Sequence, residues 1–120
     1  MALVILASLP IAACGTKKGE EIMKINSNNM SPELNDGDEI EVIECDISTI
    51  KIGDIITFSI PDSNDPQTSI GLMSSRVIEI NTGNEVIVLT TKGDANNFAD
   101  PWPVTKDNFY GLVGKVNSKK

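Results

Sequence analysis

Hydrophobic residues in this chain come in short runs, and the least interrupted run is the first. Residues 2–13 read Ala2-Leu3-Val4-Ile5-Leu6-Ala7-Ser8-Leu9-Pro10-Ile11-Ala12-Ala13, with no charged side chain among them. A helix that crosses a bilayer needs about 20 apolar residues. This run therefore has the length of a signal-peptide apolar region rather than of a span. Further along the chain, the pattern is that of strands. In Glu39-Ile40-Glu41-Val42-Ile43 the apolar positions alternate with glutamates, so Ile40 and Val42 share one face of a strand. Ile22-Met23-Lys24-Ile25 is a shorter run, and Asp54-Ile55-Ile56-Thr57-Phe58-Ser59-Ile60 is β-branched and stops at Pro61. Arg76-Val77-Ile78-Glu79-Ile80 and Glu85-Val86-Ile87-Val88-Leu89-Thr90-Thr91 flank Asn81-Thr82-Gly83-Asn84, which reads as a hairpin turn. Gly111-Leu112-Val113-Gly114-Lys115-Val116 predicts a last strand. Asn35-Asp36-Gly37-Asp38 and Lys51-Ile52-Gly53-Asp54 are turn sequences, with glycine available for positive φ. Residues 61–69 are polar and rich in Pro and Ser, and predict a loop. Strands broken by turns, with no segment of helical period, predict a mostly β fold: a small antiparallel barrel or sandwich with few helices. Residues 1–13 then form a signal peptide or hydrophobic anchor, residues 14–21 a tether, and residues 22–118 the β domain.

Composition narrows the function. A length of 120 residues fits one domain, and aromatics make up only 4%, so aliphatic side chains must fill most of the core. Formal charge is −7, without a basic patch to neutralise phosphates, so no nucleic-acid partner is expected. No metal site and no cofactor are expected either. The chain contains no histidine and two cysteines. Ile11-Ala12-Ala13-Cys14 resembles the bacterial lipobox, in which Cys14 would carry lipid and become the mature N-terminus. Gly15-Thr16-Lys17-Lys18-Gly19 would follow it as a flexible tether. A non-lipidated anchor or a buried strand are the other readings of the same run. Cys45 lies between Glu44 and Asp46, acidic neighbours that do not favour a reactive thiolate. It reads as a small buried hydrophobe, without a disulfide partner if Cys14 is committed to lipid.

Two segments look like parts of a catalytic frame. Residues 27–38 read Ser27-Asn28-Asn29-Met30-Ser31-Pro32-Glu33-Leu34-Asn35-Asp36-Gly37-Asp38, and residues 92–103 read Lys92-Gly93-Asp94-Ala95-Asn96-Asn97-Phe98-Ala99-Asp100-Pro101-Trp102-Pro103. Peptide hydrolysis by a hydroxyl needs a base within hydrogen-bond reach, a group that orients the base, and donors for the oxyanion. Four pieces in order resemble the type I signal peptidases. They are the segment 27–32 with the turn 34–38; Ile50-Lys51-Ile52-Gly53-Asp54-Ile55-Ile56-Thr57-Phe58; Ser75-Arg76-Val77-Ile78-Glu79-Ile80; and the segment 92–97 with Asp100 beyond it. The last piece resembles the histidine-using branch of that family, found in archaea, the endoplasmic reticulum and some Gram-positive bacteria.

The resemblance assigns positions and shows which groups have gone. The family nucleophile precedes Met-x-Pro, a position occupied here by Asn29. The family base, His or Lys, precedes Arg-Val, where this chain has Ser75. Asp94 and Asp100 match the carboxylates near the base. Ser27 matches the residue whose hydroxyl helps form the oxyanion hole, and Met30 and Pro32 match positions that shape the backbone. A carboxamide is no nucleophile at neutral pH and a hydroxyl is no base. The resemblance thus implies a catalytically silent, membrane-anchored lipoprotein on the extracytoplasmic face of a bacterial membrane. Its partner would be an extended exported, signal-peptide-like or pilin-like segment held at a sheet edge. The alternative is an active signal peptidase with a displaced pair, Ser27 or Ser31 with Lys92. A third reading is a structural surface domain without a groove ligand. Phe98 and Trp102, which flank the acidic loop, serve either as core cover or as an exposed patch.

Overall fold

In the computed structural model of the chain, residues 21–62 and 64–117 are described. The expectations for residues 1–20, Cys14 among them, lie outside the described residues. Six strands form one antiparallel sheet: β1 (Glu21–Lys24), β2 (Glu39–Ile43), β3 (Ile55–Asp62), β4 (Asp65–Asn81), β5 (Val88–Lys92) and β6 (Phe109–Asn117). Their spatial order is β1-β2-β6-β3-β4-β5. Among the described residues there is no helix of seven or more residues. The helical pieces among the described residues are two single 3-10 turns, Ile47–Thr49 and Gly83–Glu85. The fold is therefore mostly β and antiparallel, as the alternation of apolar residues predicts.

Both faces of the sheet are packed, which explains why the central strands lack clean alternation. In β3, Ile56 and Phe58 point to one side and join Val77, Leu89, Val104, Ile47 and Ile50 in one core cluster. Ile55 packs with the other cluster, built on Met30, Leu34, Ile40 and Val42. Adjacent residues Leu112 and Val113 of β6 divide between the two clusters in the same way. Aliphatic side chains dominate both clusters, as the low aromatic content requires, with Phe58 the largest fully buried one. Stabilisation from burying such a side chain is about 1.5–3 kcal/mol.

Two predicted boundaries need correction. The expected loop at 61–69 lies largely within the β3–β4 ladder, where Pro61 faces Ser69 and Asp62 faces Asp65. Register shifts occur on both sides of Pro61, which has no N–H to give to the ladder. Gly71, opposite Ile60, has φ +149°, a conformation open to glycine. Pro and Ser in this stretch predict a loop from local preference alone, but the neighbouring strand supplies partners that override it. The second correction concerns β5, which starts at Val88 rather than at residue 85. Residues 83–85 turn instead, with Asn84 and Glu85 at φ 56° and 60°. Cys45 also departs from expectation: it is half-buried and disulfide-bonded, not a lone buried thiol.

Candidate functional site

The connection between β1 and β2 forms the first half of the site. Ile25 N–H donates to the Asp38 carbonyl and Gly37 N–H to the Ile25 carbonyl, each at 2.8 Å, so the segment closes on itself like a loop on a clasp. Within it, Met30 and Leu34 are fully buried, and Leu34 N–H donates to the Met30 carbonyl at 2.8 Å. The Asp38 carboxylate accepts from Asn35 N–H at 2.9 Å. Burial of Met30 and Leu34 anchors the loop to the core and fixes the direction of the intervening polar residues. Asn29, immediately before Met30, is thereby turned toward β4.

The second half comes from β4 and the turn after β5. Asn29 Nδ2 donates to the Ser74 carbonyl at 3.0 Å and to Ser75 Oγ at 3.3 Å. Ser27 Oγ donates to Asn29 Oδ1 at 2.6 Å. On the main chain, Ala95 N–H donates to the Asn29 carbonyl at 2.9 Å. Asp94 N–H approaches the Met30 sulfur at 3.3 Å. The turn can come this close because residue 93 is glycine: a Cβ there would sit 2.5 Å from the Asn29 carbonyl oxygen. Asn29, Ser75, Ser27, Met30 and Asp94, separate in sequence, thus form one constellation.

The carboxylates have different partners. Asp94 binds Arg76 in a two-point contact, Nε to Oδ1 at 2.8 Å and Nη2 to Oδ2 at 2.7 Å. The guanidinium beside Asp94 holds its carboxyl below the usual carboxylate value, partly opposed by burial. The same hydrogen bond raises the Arg76 value. Arg76 also donates through Nη1 to the Gly53 carbonyl at 2.9 Å, tying the acidic turn to the loop before β3. Asp100 instead accepts from the fully buried Thr91 through Oδ2 at 2.7 Å. Both carboxylates therefore hold the frame together.

Ser31 and Lys92 are engaged separately. Ser31 Oγ donates to Asn35 Oδ1 at 2.6 Å, and the Pro32 carbonyl accepts from Asn35 Nδ2 at 3.2 Å. Lys92 Nζ donates to the Gly93 carbonyl at 3.2 Å, and in the β4–β5 ladder Lys92 lies opposite Arg76. The structure brings Asn29 to Ser75 and Asp94 to Arg76, and gives Ser31 and Lys92 other hydrogen-bond partners. Phe98 and Trp102 diverge: Phe98 is 80% exposed, whereas Trp102 is half-buried against the larger core cluster.

A cavity of about 220 Å³ opens beside Asn29, between β1 and β4, with Met23, Ile40, Thr57, Leu72, Met73 and Ser74 among its lining. Met73 also borders a second hollow of about 470 Å³ under the loop that carries Phe98. Thr57 is one lining residue that sequence reasoning missed. Its signal was a hydroxyl inside an otherwise apolar strand, which also fits a simple β-former. Among the described residues, no group of three or more His, Cys, Asp or Glu is placed to hold a metal ion. No helix among them is long and apolar enough to cross a membrane.

Comparison with known proteins finds a chain of similar sequence. Over 113 residues this chain is 31% identical to signal peptidase I W of Bacillus subtilis strain 168, an alignment covering 88% of this chain and 56% of that protein. The chain thus spans about half the length of the curated relative it matches. No protein-family model matches the chain, and no solved structure matches it.

Proposed function

We propose, from a likeness to signal peptidase I that runs through most of this chain, that the protein is a member of that family that has lost its chemistry and kept its peptide groove. The observation that carries this reading is the contact between Asn29 and Ser75, at 3.3 Å. By the resemblance, these are the positions of nucleophile and base. A carboxamide hydrogen-bonded to a hydroxyl offers neither an attacking group nor a proton acceptor at neutral pH. Nucleophile and base act as a unit, and in subtilisin the loss of either costs on the order of 10⁶ in turnover. Oxyanion donors and binding alone leave roughly 10³–10⁴ over water.

What remains is a place to bind. The cavity beside Asn29 lies between β1, an outer strand of the sheet, and the inner strand β4. An extended segment uses main-chain hydrogen bonds for affinity and places alternate side chains in pockets. The ligand in this reading is a signal-peptide-like or other exported segment. In this reading the apolar N-terminal segment holds the protein at the extracytoplasmic face of the membrane; lipid on Cys14 is the alternative, which excludes a Cys14–Cys45 disulfide because the chain has no third cysteine. Stable anchoring by lipid takes more than one acyl chain.

Two measurements test the reading together. The purified protein is treated with a serine-directed acylating inhibitor and weighed, and a fluorescent signal-peptide segment is titrated into it. An unchanged mass with saturable binding is the expected result. A covalent adduct on Ser27 or Ser31 means an active enzyme working with Lys92, and unchanged mass without binding means a structural domain.

A further inference from the structure

Cys45 is disulfide-bonded, and the chain carries one other cysteine, Cys14. Cys45 lies just past the end of β2, half-buried between the exposed Glu44 and Asp46. The hydroxyl of Thr49, in the following 3-10 turn, lies 3.7 Å from its sulfur. A hollow of about 290 Å³ opens at this point. Its lining mixes apolar Ile47, Phe109 and Tyr110 with charged Glu44, Asp46 and Lys106.

Sheet register brings the chain before β1 to the same place. β1 runs antiparallel to β2 with Glu21 opposite Val42, so the N-terminal end of β1 points toward Cys45, three positions beyond Val42. That is about 10 Å at the rise of a strand. The Tyr110 hydroxyl, in the lining of the hollow, donates to Glu21 Oε1. Cys14 precedes Glu21 by seven positions, a length of chain that reaches up to about 25 Å. A disulfide needs Cα atoms about 4.4–6.8 Å apart, so the link has chain to spare. Lys17 and Lys18 fall within that length, and the carboxylates of Glu21, Glu44 and Asp46 outnumber Lys106 around the hollow. Exposed charge pairs of this kind are worth little. They match the segment to the surface in sign, and a covalent bond would hold it there.

We propose that Cys14 and Cys45 form a disulfide strap, with residues 14–20 lying over the hollow at the end of β2 and clamped to the β domain at Cys45. The bond forms by thiol–disulfide exchange with a disulfide oxidant. The two cysteine thiols give up two electrons and two protons, one S–S bond forms between them, and the S–S bond of the oxidant is reduced to two thiols. The sulfur of Cys14 is then closed to lipid. In the anchor reading above, the strap replaces a free tether between anchor and domain by one covalent bond, and reduction restores the tether. The strap does not depend on a peptide in the groove.

The test uses the full chain, taken up in detergent from the membranes of producing cells with free thiols alkylated at lysis. The protein is denatured and digested with trypsin without reductant, and the products are weighed. The expected product joins the peptide that ends at Lys17 to residues 25–51, which hold Cys45, and reductant separates the two. Cys45→Ser abolishes the joined product; Cys14→Ser does the same and serves if the first variant does not fold. Alkylated or lipid-bearing Cys14 in the wild type overturns the proposal. So does a disulfide-linked dimer by intact mass, which assigns the bond to a second copy. The native protein reports the docking of the segment. Cleavage after Lys17 and Lys18 is expected to be about tenfold faster once the disulfide is reduced, because a clamped segment has to open locally before it is cut. Equal rates before and after reduction overturn the placement of the segment over the hollow.

Discussion

Asn29 and Ser75, 46 positions apart in the chain, are joined by a hydrogen bond from Nδ2 to Oγ at 3.3 Å. Ser75 is completely buried, and the Asn29 amide fills the space in front of it. The contact predicts a coupling that needs no assumption about catalysis. Ser75→His alone forces an imidazole against Asn29 and costs about 1–3 kcal/mol as overpacking. Asn29→Ser removes volume at the same spot, so the double variant is less destabilised than the sum of the singles. Urea denaturation of the four proteins measures this non-additivity.

The same double variant tests the chemistry. Asn29→Ser with Ser75→His supplies a hydroxyl and an imidazole at neighbouring positions, with Asp94 and Asp100 in the adjoining turn. Each single variant leaves one partner missing and is expected to stay silent. The double variant is expected to cleave a signal-peptide substrate after a small residue, read by mass spectrometry of the products. Cleavage by the unaltered chain would instead contradict the inactive reading and direct attention to Lys92 with Ser27 or Ser31.

Arg76 and Asp94 predict a particular dependence on pH. Hydrogen bonding to Arg76 lowers the folded-state value of Asp94 below its ordinary one. On acidification the unfolded chain takes up this proton first. The stabilisation is thus complete above the unfolded value of about 3.9 and is lost as pH falls through the lower folded value. Asp94→Asn removes that part of the acid sensitivity. Urea midpoints compared at about pH 6 and about pH 3 are expected to fall less steeply for the variant than for the wild type.

Gly93 predicts a steric limit. Its added Cβ would lie 2.5 Å from the Asn29 carbonyl oxygen and 2.8 Å from the Asn96 side-chain nitrogen. Gly93→Ala is expected to cost about 1–3 kcal/mol, because main chain has to move. The hydrogen bond from Ala95 N–H to the Asn29 carbonyl moves with it. Weaker peptide binding, alongside a lower urea midpoint, is the expected measurement.

Cys14 is tested by its chemistry. If Cys14 carries lipid, growth with labelled fatty acid marks the wild type and not Cys14→Ala; if its sulfur is instead the partner of the disulfide-bonded Cys45, neither is marked. A lipid thioether and a disulfide cannot share the one sulfur of Cys14. Intact mass before and after reduction therefore reports which bond that sulfur has made.

Much of the β architecture was legible before any coordinates. Alternation in residues 39–43 places Ile40 and Val42 on one face, and both are buried in the same cluster. The turn at 35–38 and the strands around 55–60 and 111–116 are equally local, because period two and turn chemistry act between near neighbours. Where a partner decides, local pattern falls short. Residues 61–69 read as a loop until β3 and β4 pair along them, and residues 85–87 read as strand although β5 starts only at Val88. For the site, the sequence alone determined which groups the chain possesses: no histidine, asparagine before Met30, serine before Arg76. Tertiary structure decided which of them meet. It set Asn29 against Ser75, committed Asp94 to Arg76 and Asp100 to Thr91, and gave Ser31 and Lys92 separate hydrogen-bond partners. It also turned two hydroxyls on neighbouring strands, Thr57 and Ser74, into a buried pair beside a cavity. Residue identity limits chemistry through the functional groups present, whereas hydrogen bonds between distant segments depend on sheet register, and register is set by the packing of the whole core.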